Sequence, residues 1–134
     1  MKYPVTIEYG DDNTAHAIRI PDLQVSTAGD TIEDAYRAAA EAADIELQNF
    51  VMSGQKIPMP SSIDEMIRNP EFSGHGWGFI DINITPYLGT TQKVTVTLPK
   101  NVISLIDNYV KKHDLKSRSS FLAETAIEKI YRAL

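Results

Sequence analysis

Polar and apolar side chains alternate over residues 93–98. The polar ones are Lys93, Thr95 and Thr97, and the apolar ones between them are Val94, Val96 and Leu98. In a strand this alternation directs the two sets to opposite faces. In a major groove, lysine can donate to guanine acceptors, and threonine can hydrogen-bond a base edge or contact a thymine methyl. The sequence therefore predicts base contacts from the three polar residues.

A second polar group, further along the chain, could hold a DNA phosphate. It consists of Ser117, Arg118, Ser119 and Ser120. Ser117 is expected to cap a helix, so that the free amides of the first turn, the hydroxyls and the guanidinium are available to an anion. We predict that these residues contact the DNA backbone beside the base-reading strand.

Carboxylates that could support metal-assisted hydrolysis are also present. Glu8, Asp22 and Asp81 are the best candidates, because they lie near the ends of predicted strands. The three histidines are His16, His75 and His113. They lack the close spacing of a helical metal site, and the chain has no cysteine for a disulfide or a thiolate zinc site. Acids solvated at the surface explain the carboxylates more simply. We therefore predict no catalytic residue, no metal and no other cofactor.

Charge divides the chain near residue 90. Residues 1–90 contain five Lys or Arg against fourteen Asp or Glu, a net charge of −9. Residues 91–134 contain eight against four, a net charge of +4. The acidic part is suited to a basic partner and the basic part to phosphate. No apolar run reaches the roughly 20 residues of a membrane span, and the N-terminus lacks the apolar stretch of a signal peptide, so a cytoplasmic protein is expected.

The acidic part must position its candidates on an α+β fold. Period-2 alternation predicts strands over 3–9 with one buried face, over 15–20 and over 77–85, and a weaker strand over 24–27. Asp30 with Glu33 is typical of the start of a helix, which Ser53-Gly54 should end. Ser62 with Glu65 predicts a second, short helix that ends before Pro70. The order of these elements gives one antiparallel sheet backed by helices.

The basic part is predicted to be a strand followed by two helices. Pro99 suits entry to the first helix, whose apolar stripe is Val102, Leu105, Ile106, Tyr109 and Val110. Asp114 is expected in the left-handed turn between the helices. The last helix should direct Phe121, Leu122, Thr125, Ala126 and Ile130 inward. A unit of this size seldom folds alone, so we predict a homodimer in which Val94, Val96 and Leu98 of two antiparallel strands form the core of a ribbon.

These patterns resemble two known families. The segment 93–134, with Val96-Thr97-Leu98-Pro99 leading into one helix and Ser117-Arg118-Ser119-Ser120-Phe121 starting the next, resembles the ribbon-helix-helix DNA-binding domains. The N-terminal part looks like the HicB antitoxins, on Tyr3-Pro4-Val5, Ile20-Pro21-Asp22-Leu23, the run from Thr27 to Ala35, and Ile57-Pro58-Met59-Pro60-Ser61. Together the two resemblances cover essentially the whole chain, in the order that the HicB family uses.

The resemblance implies a type II antitoxin. Its N-terminal domain, residues 1–88, would have a partial RNase H-like fold and bind HicA, a small basic toxin that cleaves mRNA. A linker at 89–92 would lead to a ribbon-helix-helix domain at 93–134, which binds the operator of its own operon, represses transcription and forms dimers that could pair into tetramers. An acidic domain suits a basic toxin, and Asp11, Asp12 and Asp22 are candidate toxin contacts.

Two other functions remain open from the sequence. The chain could be a metal-dependent nuclease that uses Glu8, Asp22 or Asp81 and tethers itself to DNA by its tail. It could also be a dimeric repressor whose N-terminal part senses a small molecule. Magnesium-dependent cleavage would favour the nuclease, whereas a neighbouring gene for a small basic protein would favour the antitoxin.

Overall fold

The computed structural model describes residues 1–133 and contains one antiparallel sheet of four strands. The strands are β1 (Lys2–Glu8), β2 (His16–Ile20), β3 (Val25–Gly29) and β4 (Gly76–Asp81), in the order β3-β2-β1-β4. The sheet belongs to a compact unit, Met1–Tyr87, and a second unit starts at Leu88. The predicted helix-backed antiparallel sheet is confirmed.

Strand β1 is buried on both faces, and the prediction of a single buried face was wrong. All five side chains from Tyr3 to Ile7 are buried, whereas Tyr9 lies beyond the strand and is 64% exposed. The strand occupies a central position between β2 and β4. Helix α1 (Ile32–Met52) covers the face that carries Val5, because a Cβ placed on the adjacent Gly78 would meet both Val5 and Tyr36 of this helix.

Helix α1 packs closely on strand β3. Its buried residues are Ala35, Ala39, Ala43 and Leu47, so that small side chains let the helix approach the sheet. A Cβ on Gly29 would lie 2.5 Å from the backbone nitrogen of Ala35. The N-cap is Thr31, which accepts a hydrogen bond from the Asp34 amide at 3.0 Å, one residue later than the predicted Asp30. Gly54, with a φ of 72°, ends the helix as predicted.

Helix α2 (Ile63–Ile67) and the 3₁₀ turn Pro70–Phe72 connect α1 to β4. The Ser62 hydroxyl accepts a hydrogen bond from the Glu65 amide at 3.2 Å, which confirms the predicted cap. Strand β3 starts one residue later than predicted, because Gln24 adopts a left-handed conformation with a φ of 56°. The strand extends to Gly29.

Strand β4 ends at Asp81, not at Thr85 as predicted. The partner strand β1 begins at Lys2, which pairs with Asp81, and the Ile82 amide donates to the Met1 carbonyl at 2.9 Å. The chain then continues into a 3₁₀ segment at Thr85–Tyr87. Ile82 and Ile84 are nevertheless buried.

The second unit contains α3 (Lys100–Lys112) and α4 (Arg118–Ala133). Pro99 precedes α3, and Asp114 takes the left-handed conformation with a φ of 53°, both as predicted. Of the predicted apolar stripe of α3, only Ile106 is buried within the chain. In α4, Thr125, Ala126 and Ile130 are exposed, so their predicted inward orientation is not realised in a single chain. No helix in residues 1–133 is long and apolar enough to cross a membrane.

Candidate functional site

The turn between β1 and β2 presents two carboxylates to solvent. Asp11 and Asp12 are both exposed. The Asp11 carboxylate accepts a hydrogen bond from the Asn13 amide at 2.8 Å, and Asp11 also forms an isolated backbone bridge with Thr14. The hydrogen bond from Asn13 is the main cause that lowers the pKa of Asp11 below its ordinary value. This turn therefore carries fixed negative charge at neutral pH.

Asp22 lies at the other end of β2, in the 3₁₀ turn Pro21–Leu23. Its carboxylate accepts two hydrogen bonds from Ser61, one from the hydroxyl at 2.6 Å and one from the backbone amide at 2.9 Å. These bonds hold the segment before α2 against the sheet. A five-residue strand is about 15 Å long, so Asp22 does not share a patch with Asp11 and Asp12.

The three carboxylates considered for metal-assisted hydrolysis are not brought together. Glu8 Oε1 lies 2.7 Å from His75 Nε2, whereas Asp81 forms an ion pair with the N-terminal ammonium at 3.1 Å. Asp81 pairs with Lys2 at the start of β1, and Glu8 is the last residue of that strand. Glu8 and Asp81 are therefore about 20 Å apart. Among residues 1–133, no cluster of three or more His, Cys, Asp or Glu side chains is placed to hold a metal ion.

The remaining histidines have local roles. His16 Nδ1 accepts a hydrogen bond from the Gly10 amide at 2.9 Å, which fixes the β1–β2 turn. His113 stacks on Tyr109 with ring centroids 4.1 Å apart at the end of α3. Each histidine therefore has a structural contact within its own unit.

A row of side chains crosses the sheet on the face opposite α1. Thr6 pairs with Arg19 on β2 and with Trp77 on β4, so these three residues point to the same side. Phe72 covers the row: its ring lies 5.3 Å from the Arg19 guanidinium carbon and 5.8 Å from the Trp77 ring. Glu71 accepts a hydrogen bond from Arg19 at 2.8 Å. As a result, Thr6 is only 1% exposed.

Beside this row lies a groove that was not anticipated from the sequence. It has a volume of about 560 Å³ and runs between the β2–β3 side of the sheet and the segment that contains α2. Its charged lining residues are Arg19, Asp22, Glu65 and Glu71. The capping pattern at Ser62 predicted the helix, but nothing local links Arg19 to Glu71, which are 52 positions apart.

The predicted base-contacting residues Lys93, Thr95 and Thr97 are exposed. Val94 and Val96 are exposed as well, by 73% and 60%, and Leu98 is half-buried. Residues 93–98 belong to no strand within the described chain. An antiparallel ribbon between two chains therefore stays a prediction, since a single chain supplies no second strand.

Ser117 caps helix α4, and Arg118 bridges the two helices of the second unit. The Ser117 hydroxyl accepts a hydrogen bond from the Ser120 amide at 3.1 Å. The Arg118 guanidinium makes two hydrogen bonds to the Asp107 carboxylate, at 3.0 and 2.9 Å. The bond from Arg118 is the main cause that lowers the pKa of Asp107 below its ordinary value. A phosphate bound at the start of α4 would have to share Arg118 with Asp107. The sequence analysis did not predict the ion pair between Arg118 and Asp107.

Apolar surface of the second unit remains uncovered. Tyr109 packs on Phe121 with ring centroids 5.2 Å apart, yet Tyr109 is still half-exposed. Leu105 and Ile130 are 69% and 59% exposed. Uncovered apolar side chains on both helices and on the preceding segment are typical of a surface that associates with a partner.

The sequence is similar to that of known proteins along both units of the chain. Residues 3–126 match the family model of the HicB-like antitoxins of bacterial toxin-antitoxin systems. An uncharacterized 14.9 kDa protein in the rep-hol intergenic region of Haemophilus phage HP1 (strain HP1c1) is 27% identical over 135 residues, which cover 99% of this chain and 100% of the phage protein.

Solved structures agree with the family match. The crystal structure of the Burkholderia pseudomallei antitoxin HicB is 27% identical with a TM-score of 0.67, and the match covers 96% of this chain and 98% of that chain. A chain in a HicA3 and HicB3 toxin-antitoxin complex is 25% identical with a TM-score of 0.51, over 62% of this chain and 99% of that chain. The antiparallel sheet with its helices is thus shared with a solved HicB structure.

Proposed function

The chain belongs to the HicB-like antitoxins of bacterial toxin-antitoxin systems, and on that premise we propose that it neutralises a HicA-type toxin and represses its own operon. The observation that carries the proposal is the extent of the family match, which runs from residue 3 to residue 126 and so includes both units. In this proposal the toxin is an endoribonuclease that cleaves mRNA. The toxin binds the first, acidic unit of the chain, Met1–Tyr87.

The charge distribution supports toxin binding by the first unit. Residues 1–90 carry a net charge of −9, and an RNA-binding toxin presents basic surface. A relative of 25% identity occurs in a complex of HicA3 with HicB3. By covering the basic surface of the toxin, the acidic unit would exclude RNA from it.

The second unit is proposed to dimerise and bind operator DNA as a ribbon-helix-helix domain. Its exposed Val94 and Val96 need a partner, and a second copy of the same strand supplies one. Lys93, Thr95 and Thr97 would then line the outer face of the ribbon. The capped start of α4 would contact the flanking phosphates through its amides and serine hydroxyls.

The protein is proposed to act as a binding protein in the cytoplasm, without catalysis of its own. Its first unit would be a partial RNase H-like fold without the full set of catalytic carboxylates. Glu8, Asp22 and Asp81 support this, because each is bonded to a different local partner. Metal-dependent cleavage of nucleic acid by the purified chain would contradict the proposal.

The proposal is tested by co-producing the chain with a candidate HicA-type toxin, namely the product of a neighbouring gene for a small basic protein. The expected results are recovery of a stoichiometric complex, suppression of RNA cleavage by the toxin, and retention of DNA from the promoter of the same operon. A toxin that stays active and unbound in the presence of folded chain would refute the antitoxin function. Loss of the DNA interaction alone would refute the repressor function.

A further inference from the structure

The groove of about 560 Å³ in the first unit has an apolar floor and an anionic rim. Val25, Met66 and Phe72 line it and are each less than a tenth exposed. Asp22 and Glu65 bring negative charge to its edge, whereas the charge of Arg19 is paired with Glu71. A long side chain with an aliphatic stem and a cationic head matches this combination, because the stem can lie on the floor while the head reaches the carboxylates.

The walls of the groove are held in place before any ligand arrives. Asp22 is fixed by its two hydrogen bonds to Ser61, and Arg19 is fixed between Glu71 and the Phe72 ring. The wall formed by α2 begins at the Ser62 cap. A site with fixed walls loses little conformational entropy on binding, which favours affinity.

Glu65 is the rim carboxylate that is free to meet a ligand. Its side chain is exposed and makes no hydrogen bond or ion pair among residues 1–133, while its backbone amide donates a hydrogen bond to the Ser62 hydroxyl. Asp64, its neighbour on α2, is also exposed but does not line the groove. The two acids therefore differ in position and not in charge.

We propose that this groove receives a lysine or arginine side chain of the toxin. The inference rests on the proposed function, and it assigns Glu65 as a contact that the sequence analysis did not name. The occupant follows from charge complementarity, since an acidic groove within a unit of net charge −9 selects a cationic side chain. Glu65 would contribute to the lifetime of the complex, in addition to the long-range attraction that every acid of this unit provides.

The test compares Glu65→Lys with Asp64→Lys in the full chain, by measuring association and dissociation rates with the purified HicA-type toxin. Both changes alter the net charge equally and occupy the first turn of α2, so they should slow association to a similar degree. Glu65→Lys alone should also accelerate dissociation, by about tenfold or more. Glu65→Gln and Asp64→Asn provide a milder pair, and circular dichroism with thermal unfolding verifies that all four variants fold.

Faster dissociation for the Glu65 variants than for the Asp64 variants supports the groove as a toxin contact. Equal dissociation rates across both pairs, with the wild-type chain binding the toxin, would overturn the inference and leave the antitoxin function intact. A wild-type chain that fails to bind the toxin would contradict the proposed function, and the inference with it.

Discussion

Replacing Val96 by alanine tests whether residues 93–98 pair between two copies of the chain. Burial of each carbon of an apolar side chain contributes about 0.8 kcal/mol, so the two methyl groups lost represent about 1.6 kcal/mol for complete burial. Because Val96 is 60% exposed in a single chain, association can contribute about 1 kcal/mol of this per copy. Two copies give about 2 kcal/mol, which predicts a dimer that dissociates about 30-fold more readily.

Sedimentation equilibrium of the full chain over a concentration series measures this change. Thr95→Ala is the matched control, because it removes a β-branched side chain from the adjacent position on the predicted outer face. It should leave the dimer dissociation constant unchanged and weaken operator binding. If the two variants shift the dimer constant equally, or if Val96→Ala has no effect on it, the alternating ribbon is wrong.

Three further predictions address the DNA contacts, the packing of α1 and one tyrosine. Replacing Lys93, Thr95 and Thr97 together by alanine should abolish operator-specific binding in a mobility-shift assay, while dimerisation persists. Gly29→Ala should lower the free energy of unfolding by about 2–3 kcal/mol in a urea titration, because its Cβ would meet the α1 backbone; an unchanged stability would refute that packing. Burial and the hydrogen bond to Asp44 raise the pKa of Tyr87 to about 12. The contribution of protonated Tyr87 to the free energy of unfolding should therefore be complete below about pH 10 and decline as the pH rises toward 12. In Asp44→Asn, an absorbance titration should show a lower pKa for this tyrosine.

Local signals in the sequence predicted local structure well. The Ser62 cap, the left-handed Gly54 and the left-handed Asp114 each depend on a few neighbouring residues, and the structure confirms all three. The end of β4 was not predictable in this way. Asp81 pairs with Lys2, so the last residue of β4 depends on a contact with the opposite end of the unit.

The features that were missed depend on contacts between distant residues. The burial of Thr6 follows from Phe72, which lies over the Arg19–Thr6–Trp77 row. No periodicity in β1 could reveal that a segment more than sixty positions later covers its second face. The pairing of Arg118 with Asp107 is likewise set by the packing of α3 against α4. The sequence analysis treated Arg118 as free to bind phosphate, whereas in the structure its guanidinium is already bonded to the Asp107 carboxylate.

The most direct test of the central claim is an RNA-cleavage assay with purified toxin and increasing amounts of residues 1–90. The acidic unit contains its own sheet and core, so it should remain folded without residues 91–134. We expect it to suppress cleavage completely at a stoichiometric ratio, as the full chain does. Undiminished cleavage in a stoichiometric excess of the folded fragment would contradict the assignment of toxin neutralisation to this unit.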